Sequence, residues 1–198
     1  LRRLQKKIMK TIITVFLLTL GTILHAQASP YEVGTNVISF GVGVGSSYGY
    51  NLARQTPAFS AQFERGIAQL GPGVLSLGGY VGYKGFSYRN DYSSGFYYEQ
   101  KWRYTIIGAR AAWHLQEIDG LNLTKWDLYG GVMIGFNAVS YTYTDNDPNF
   151  NYSGNSYGNG IGWSTFLGAR YFLTDNLALQ GELGYGIAYL NLGIALKF

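Results

Sequence analysis

Cysteine is absent, which excludes a disulfide framework and any thiolate metal or redox site. Proline is scarce, with four residues in 198, too few for a Pro-rich linker or a collagen-like chain. Charged side chains make up only 13%, where an ordinary soluble domain carries about a quarter. Helical periodicity is missing after residue 28, and the one long apolar run, Ile12 to Leu24, is too short to span a bilayer comfortably. The excess positive charge is local. Arg2, Arg3, Lys6, Lys7 and Lys10 lie in the first ten residues, and beyond Ala26 ten basic side chains face 11 acidic ones. A net charge near −1 gives no electrostatic footprint for nucleic acid.

What the chain has in quantity is Gly (28) and Tyr (18), a composition suited to many strands with tight internal packing. Met9-Lys10, the apolar core from Ile12 and the Ala26-Gln27-Ala28 site together fit a cleaved secretory signal peptide over 9–28. Residues 1–8 precede an initiator-type Met and are expected to be a non-native upstream extension. Residues 29–198 form one domain.

The last ten residues show the pattern that organises this domain. Leu190, Leu192, Ile194, Leu196 and Phe198 fall on every second position, with Asn191, Gly193, Ala195 and Lys197 between them. A period of two is a strand with one apolar face. The same alternation recurs in 36–45, 58–67, 74–86, 101–115, 126–140, 159–173 and 177–185, eight strands with the terminal one. In chain order the connections are long (46–57), short (Gly71-Pro72-Gly73), long (87–100), medium (116–125), long (141–158), short (Thr174-Asp175-Asn176) and short (Gly186-Ile187-Ala188). Long connections on one side and short ones on the other, around an even number of strands, predict an all-β, eight-stranded antiparallel up-and-down transmembrane β-barrel. Both termini then lie on the short-turn, periplasmic side. The Gly41-Val42-Gly43 repeat lies inside a strand and opens no helix, so it predicts no nucleotide loop.

The stretches Tyr129-Gly130-Gly131, Leu167-Gly168-Ala169-Arg170-Tyr171, Glu182-Leu183-Gly184-Tyr185 and the terminal Leu192 to Phe198 resemble the small bacterial outer-membrane β-barrel family, the OmpA/OmpX-like barrels. The resemblance covers about residues 36 to 198. It implies insertion by the outer-membrane assembly machinery, with Phe198 as the assembly signal on the terminal strand. It implies no enzymatic activity, because one barrel hosts several roles.

Leu, Ile, Val and Phe dominate one face of every strand, and that face is expected to meet lipid. Glu64, Arg110, Arg170 and Glu182 lie on the other face, three to five residues from the turn-side strand ends. They are expected to form one charge-balanced band that plugs the lumen, since an eight-stranded barrel is only wide enough for side chains. Trp113, Trp126, Tyr171 and Phe198 are expected in an aromatic girdle at the turn side. Trp102, Trp163, Tyr83 and Tyr104 are expected in one at the loop side.

His114 is the one His of the mature chain and is expected to be a hydrogen-bonding rim residue; a nearby H-x-S arrangement is absent. Asp145-Asn146-Asp147-Pro148-Asn149 lacks the Gly and distant Glu of an EF-hand loop. No metal, cofactor or catalytic residue is assigned. The expected function is a non-enzymatic outer-membrane barrel with a structural or surface-interaction role carried by Tyr-rich loops at 92–98 and 141–157. The expected partners are outer-membrane lipid and lipopolysaccharide, the assembly machinery, and an extracellular ligand or host surface; the barrel is expected to be a monomer. A narrow porin-like barrel passing small solutes is the alternative, and a lipid-modifying enzyme a remote one. A soluble lipocalin-like barrel would need the opposite arrangement, apolar inside and polar outside.

Overall fold

A computed structural model describes residues 29–45, 54–93, 95–118, 120–147 and 158–198. The expected leader at 9–28 and the upstream residues lie outside it. The described chain forms strands β1 (Asn36–Val44), β2 (Arg54–Gln55), β3 (Ala58–Leu70), β4 (Gly73–Ser93), β5 (Phe96–Leu115), β6 (Trp126–Asp145), β7 (Gly160–Phe172), β8 (Leu177–Gly184) and β9 (Leu190–Lys197). Each barrel strand pairs antiparallel with the next, in the ring β1-β3-β4-β5-β6-β7-β8-β9. The ring is closed by β9 on β1, from Val37 opposite Lys197 to Val44 opposite Leu190. The fold is therefore a closed, all-β, eight-stranded antiparallel barrel with no open edge along its wall. The two-residue β2 lies beside β4 above the end of β3, with Arg54 opposite Ser87.

The alternation read along the sequence decides which side chains point where. Phe40, Val42, Phe63, Leu77, Ile107, Val132, Ile134, Leu167, Leu183 and Leu192 are all exposed on the outside. Glu64, Arg110, Arg170, Glu182 and Lys84 are all buried inside. The molecule is thus inverted relative to a soluble barrel, with an apolar coat around a polar core. Inward glycines make room for that core: a Cβ on Gly82 would come within 2.8 Å of Ile187 and 2.9 Å of the Tyr80 ring.

Two features depart from expectation. Residues 87–100 do not form a loop. β4 runs on to Ser93 and β5 starts at Phe96, so β4, β5 and β6 are 21, 20 and 20 residues long. A tilted crossing needs only about 9–11 residues, so this three-stranded sheet projects well beyond the rim. Its cohesion comes from cross-strand pairs that the polar composition obscured. Arg89 faces Glu99, the rings of Trp102 and Tyr141 lie 5.2 Å apart, and those of Tyr98 and Tyr143 5.9 Å apart.

The second departure is at the turn side. Residues 29–35 fold across the barrel mouth. The Ser29 amide donates to the Gln116 carbonyl and the Gly34 amide to the Gly66 carbonyl, where β3 carries a bulge between Gly66 and Ala68. At the opposite mouth the β8–β9 connection folds inward and buries Ile187 and Ala188.

Candidate functional site

The four charged residues expected in one band are brought together, and the structure adds two more. Strands β3, β5, β7 and β8 present Glu64, Arg110, Arg170 and Glu182 to a common centre because each occupies an inward position. Asp127 at the start of β6 and His114 near the end of β5 join them. Arg170 is fully buried and uses its whole guanidinium. Its Nη1 donates to Asp127 Oδ2 at 2.9 Å, Nη2 to Glu64 Oε2 at 2.5 Å and Nε to Gln180 Oε1 at 2.9 Å. Arg110 forms a two-pronged pair with Glu182 at 3.1 and 2.7 Å, and its Nη2 lies 3.3 Å from Glu64 Oε1. Glu64 therefore lies between the two guanidinium groups. The Tyr129 hydroxyl donates to Glu182 Oε2 at 3.2 Å.

Aromatic faces enclose the cations. The Arg110 guanidinium lies 3.7 Å from the Phe166 ring centre and that of Arg170 lies 4.5 Å from Tyr129. Such stacking suits the weakly hydrated planar guanidinium. Two cations meet three carboxylates here, and the sixth member of the cluster is His114. Its Nδ1 is 2.7 Å from Asp127 Oδ1 and its Nε2 is 3.0 Å from Ser76 Oγ.

A Ser–His–Asp relay is therefore present in geometry. Its surroundings are those of a core. Ser76, His114 and Asp127 are each at most 1% exposed, and the Ser76 hydroxyl also lies within reach of the Ala112 carbonyl at 3.3 Å. Tyr31 covers the imidazole, stacked on it at 3.7 Å and 7°. Nucleophilic attack needs a space about 3 Å from the hydroxyl for the reacting atom, whereas Ser76 is buried and the imidazole is stacked between Tyr31 and Tyr129. Burial pushes the Tyr31 phenol well above its ordinary ionisation range, so the ring meets the cluster as a neutral aromatic.

Sequence reasoning missed Asp127 and Tyr31. Asp127 lies between outward Trp126 and outward Leu128, so the same alternation marks it as inward. Tyr31 precedes the first strand and has no period to reveal it.

The aromatic residues divide. Trp113, Trp126, Tyr171 and Phe198 lie at the turn-side ends of their strands. The Trp126 and Tyr171 rings are 4.9 Å apart, the Trp113 indole donates to the Leu70 carbonyl at 2.9 Å, and Phe198 is 67% exposed. Trp163 faces outward on the loop side at 80% exposure, and Tyr83 is also outward. Trp102 and Tyr104 do not belong to that outer girdle. Trp102 shares the parity of buried Ile106 and pairs with buried Phe86, so it lies on the inward side of the projecting sheet. Tyr104 packs edge-on against Phe86 at 5.7 Å. Counting depth alone placed them at the right height and on the wrong face.

The Tyr-rich segments are also redistributed. Tyr97, Tyr98, Tyr141 and Tyr143 belong to strands of the projecting sheet. Residues 148–157 lie outside the described residues, as do the side chains of Tyr92 and Ser93.

No family model matches the chain, and no curated protein matches it. Among solved structures it is similar to Ail, the attachment invasion locus protein of Yersinia pestis, in complex with the heparin analogue sucrose octasulfate. The identity is 10%, over 84% of this chain and 96% of that one, with a TM-score of 0.46. It is also similar to the N-terminal β-barrel domain of Pseudomonas aeruginosa OprF (13% identity, 87% and 100% coverage, TM-score 0.44). Neisserial surface protein A shows 17% identity over 86% and 99% of the two chains, with a TM-score of 0.42.

Proposed function

We propose that this chain is a non-enzymatic integral barrel of the bacterial outer membrane, exported through a cleaved leader at residues 9–28. Its lumen is closed by side chains, and it meets the exterior through the projecting β4–β6 sheet and the connections beside it. The observation that carries this reading is the inversion of the barrel. A closed ring leaves no unpaired backbone group along the wall, its outer face is Leu, Ile, Val and Phe, and its charges are inside. Water would not tolerate such a coat on a monomer, whereas a bilayer requires it.

The closed lumen rests on the ion pairs of Glu64, Asp127 and Glu182 with Arg110 and Arg170. Residues 29–35 cover this cluster at one end, and Ile187 fills the other. A surface role rests on the Tyr-bearing sheet that projects beyond the rim, since Tyr offers large amphipathic contact area at low entropic cost.

Outer-membrane fractionation followed by gel mobility with and without heating tests the membrane reading; recovery in the soluble periplasmic fraction overturns it. Planar-bilayer recording tests the closed lumen, and a steady, reproducible conductance overturns that part. Deleting residues 141–158 and assaying binding to surfaces tests the interaction role.

A further inference from the structure

The outer wall carries a groove that changes character along its length. On its lower part, Ala61 lies in one cross-strand row between Phe40 and Val81. A methyl group between two large side chains leaves a dent. The resulting apolar groove, of about 540 Å³, is walled by Phe40, Val42, Phe59, Val81, Tyr83 and Leu192. Above it, toward the projecting sheet, a second groove of about 310 Å³ is lined by Arg54, Lys101 and Arg103 together with Thr56, Gly85 and Ser87. Tyr83 lines both, so the two adjoin at its ring.

Register explains the basic end. Arg54 faces Ser87 and Ser87 faces Lys101, which sets two cations in one row with a small residue between them. One row nearer the barrel, Gly85 faces Arg103, again a small residue beside a cation. Neighbouring strands are about 4.8 Å apart, so Arg54 and Lys101 flank a gap of roughly 10 Å that long basic side chains can close on. Lys101 shares its ammonium with Glu99 at 2.8 Å. Arg54 and Arg103 enter no ion pair among the described residues.

Cations at the upper edge of an apolar belt lie at headgroup depth. Guanidinium groups bind phosphate through paired, charge-assisted hydrogen bonds, and the dent below is shaped for an acyl chain.

We propose that this composite groove binds one phosphorylated acyl lipid of the outer leaflet. Its phosphate is held by Arg54 and Arg103, with Lys101 beside them, and a chain lies over Ala61. The proposal rests on the membrane reading above and names the site at which the barrel would meet its lipid.

The test uses the full mature barrel in phosphatidylcholine nanodiscs. The discs are doped with phosphorylated lipid A or with the same lipid stripped of phosphate, and retained lipid is read by native mass spectrometry. The phosphorylated form should be retained about tenfold better, the value of one charge-assisted hydrogen bond. R54Q with R103Q should abolish that preference. Ala61→Trp, which fills the dent, should lower retention of both forms severalfold and leave the preference intact. Millimolar inorganic phosphate should not displace the lipid.

Equal retention of the two forms, or a preference untouched by R54Q with R103Q, overturns the proposal. Displacement by inorganic phosphate alone overturns the lipid as occupant and points to a soluble anion. Heat-modifiable mobility of each variant is measured alongside. Failure of the wild-type chain to enter nanodiscs sinks the membrane reading itself, whereas normal entry with no phosphate preference sinks only the groove.

Discussion

Glu64 and Arg170 stand on diametrically opposite walls of the barrel, on β3 and β7, and join across its full width. A pair in this position acts as a strut: it couples two strands that share no backbone hydrogen bond. Removing one partner leaves the other buried with one remaining ion pair, Arg110 for Glu64 and Asp127 for Arg170, so the cost stays below that of a fully stranded charge. Glu64→Gln and Arg170→Met should each lower unfolding stability in lipid or detergent by about 1–3 kcal/mol, measured by urea titration. The double variant should lose less than the sum, because neither charge is then stranded. Full additivity would show that the two residues do not act as a pair.

The stack of Tyr31 on His114 ties residues 29–35 to the barrel mouth. Tyr31→Phe keeps the ring and should leave the segment seated. Tyr31→Ala removes it and should cost about 3 kcal/mol, by analogy with other buried aromatic truncations. Hydrogen exchange should then rise in residues 29–35 while the barrel strands stay protected.

Alkaline pH should release the same segment. Burial raises the seated Tyr31 phenol above the ordinary value of 10.0. The released phenol then loses its proton before the seated one does. Seating is therefore fully stable below pH 10.0 and is lost as the pH rises above it. Exchange in residues 29–35 measured on the alkaline side should increase in the wild type and show no such step in Tyr31→Phe.

The barrel was legible because one rule, period two, fixes both the strand and its faces. That rule placed Glu64, Arg110, Arg170 and Glu182 inside without any knowledge of their partners. It could not say that Arg170 reaches Glu64 while Arg110 grips Glu182, since pairing across a lumen depends on shear and tilt that no local pattern encodes. Asp127 was within reach of the rule but sat at a strand end, where the pattern has too few repeats to assert itself. Tyr31 was out of reach, because its burial depends on a segment packing against a mouth that only the closed ring creates. The projecting sheet failed for the opposite reason. Residues 87–100 look like a loop by polarity, yet Tyr88, Tyr97 and Tyr98 favour strands, and pairing of β4 with β5 and of β5 with β6 settled the contest.

The aromatic pair Trp102–Tyr141 should hold that projecting sheet together. The residues are directly opposite each other on β5 and β6, with rings 5.2 Å apart. Trp102→Ala should weaken the extension by about 1 kcal/mol. Limited proteolysis should then cut within 87–100 and 141–145 faster than in the wild type, with the barrel below intact. Proteolysis of the barrel itself would place Trp102 in a global rather than a local role.

Phe198 should act twice at the seam, and two variants separate the roles. Its amide donates to the Asn36 carbonyl at 3.0 Å, and its own carbonyl accepts from the Asn36 amide at 3.2 Å. These bonds extend the β9–β1 ladder past Lys197. The ring contributes nothing to them and points outward. Deleting Phe198 removes bonds and ring together, while Phe198→Ala removes the ring alone. If the ring serves recognition during assembly, both variants should fall to low outer-membrane levels in cells. Only the deletion should then refold poorly from urea into detergent, where no assembly machinery is present. Equal refolding defects in the two variants would make the ring a structural anchor of the seam, and normal membrane levels of both would remove Phe198 from assembly altogether.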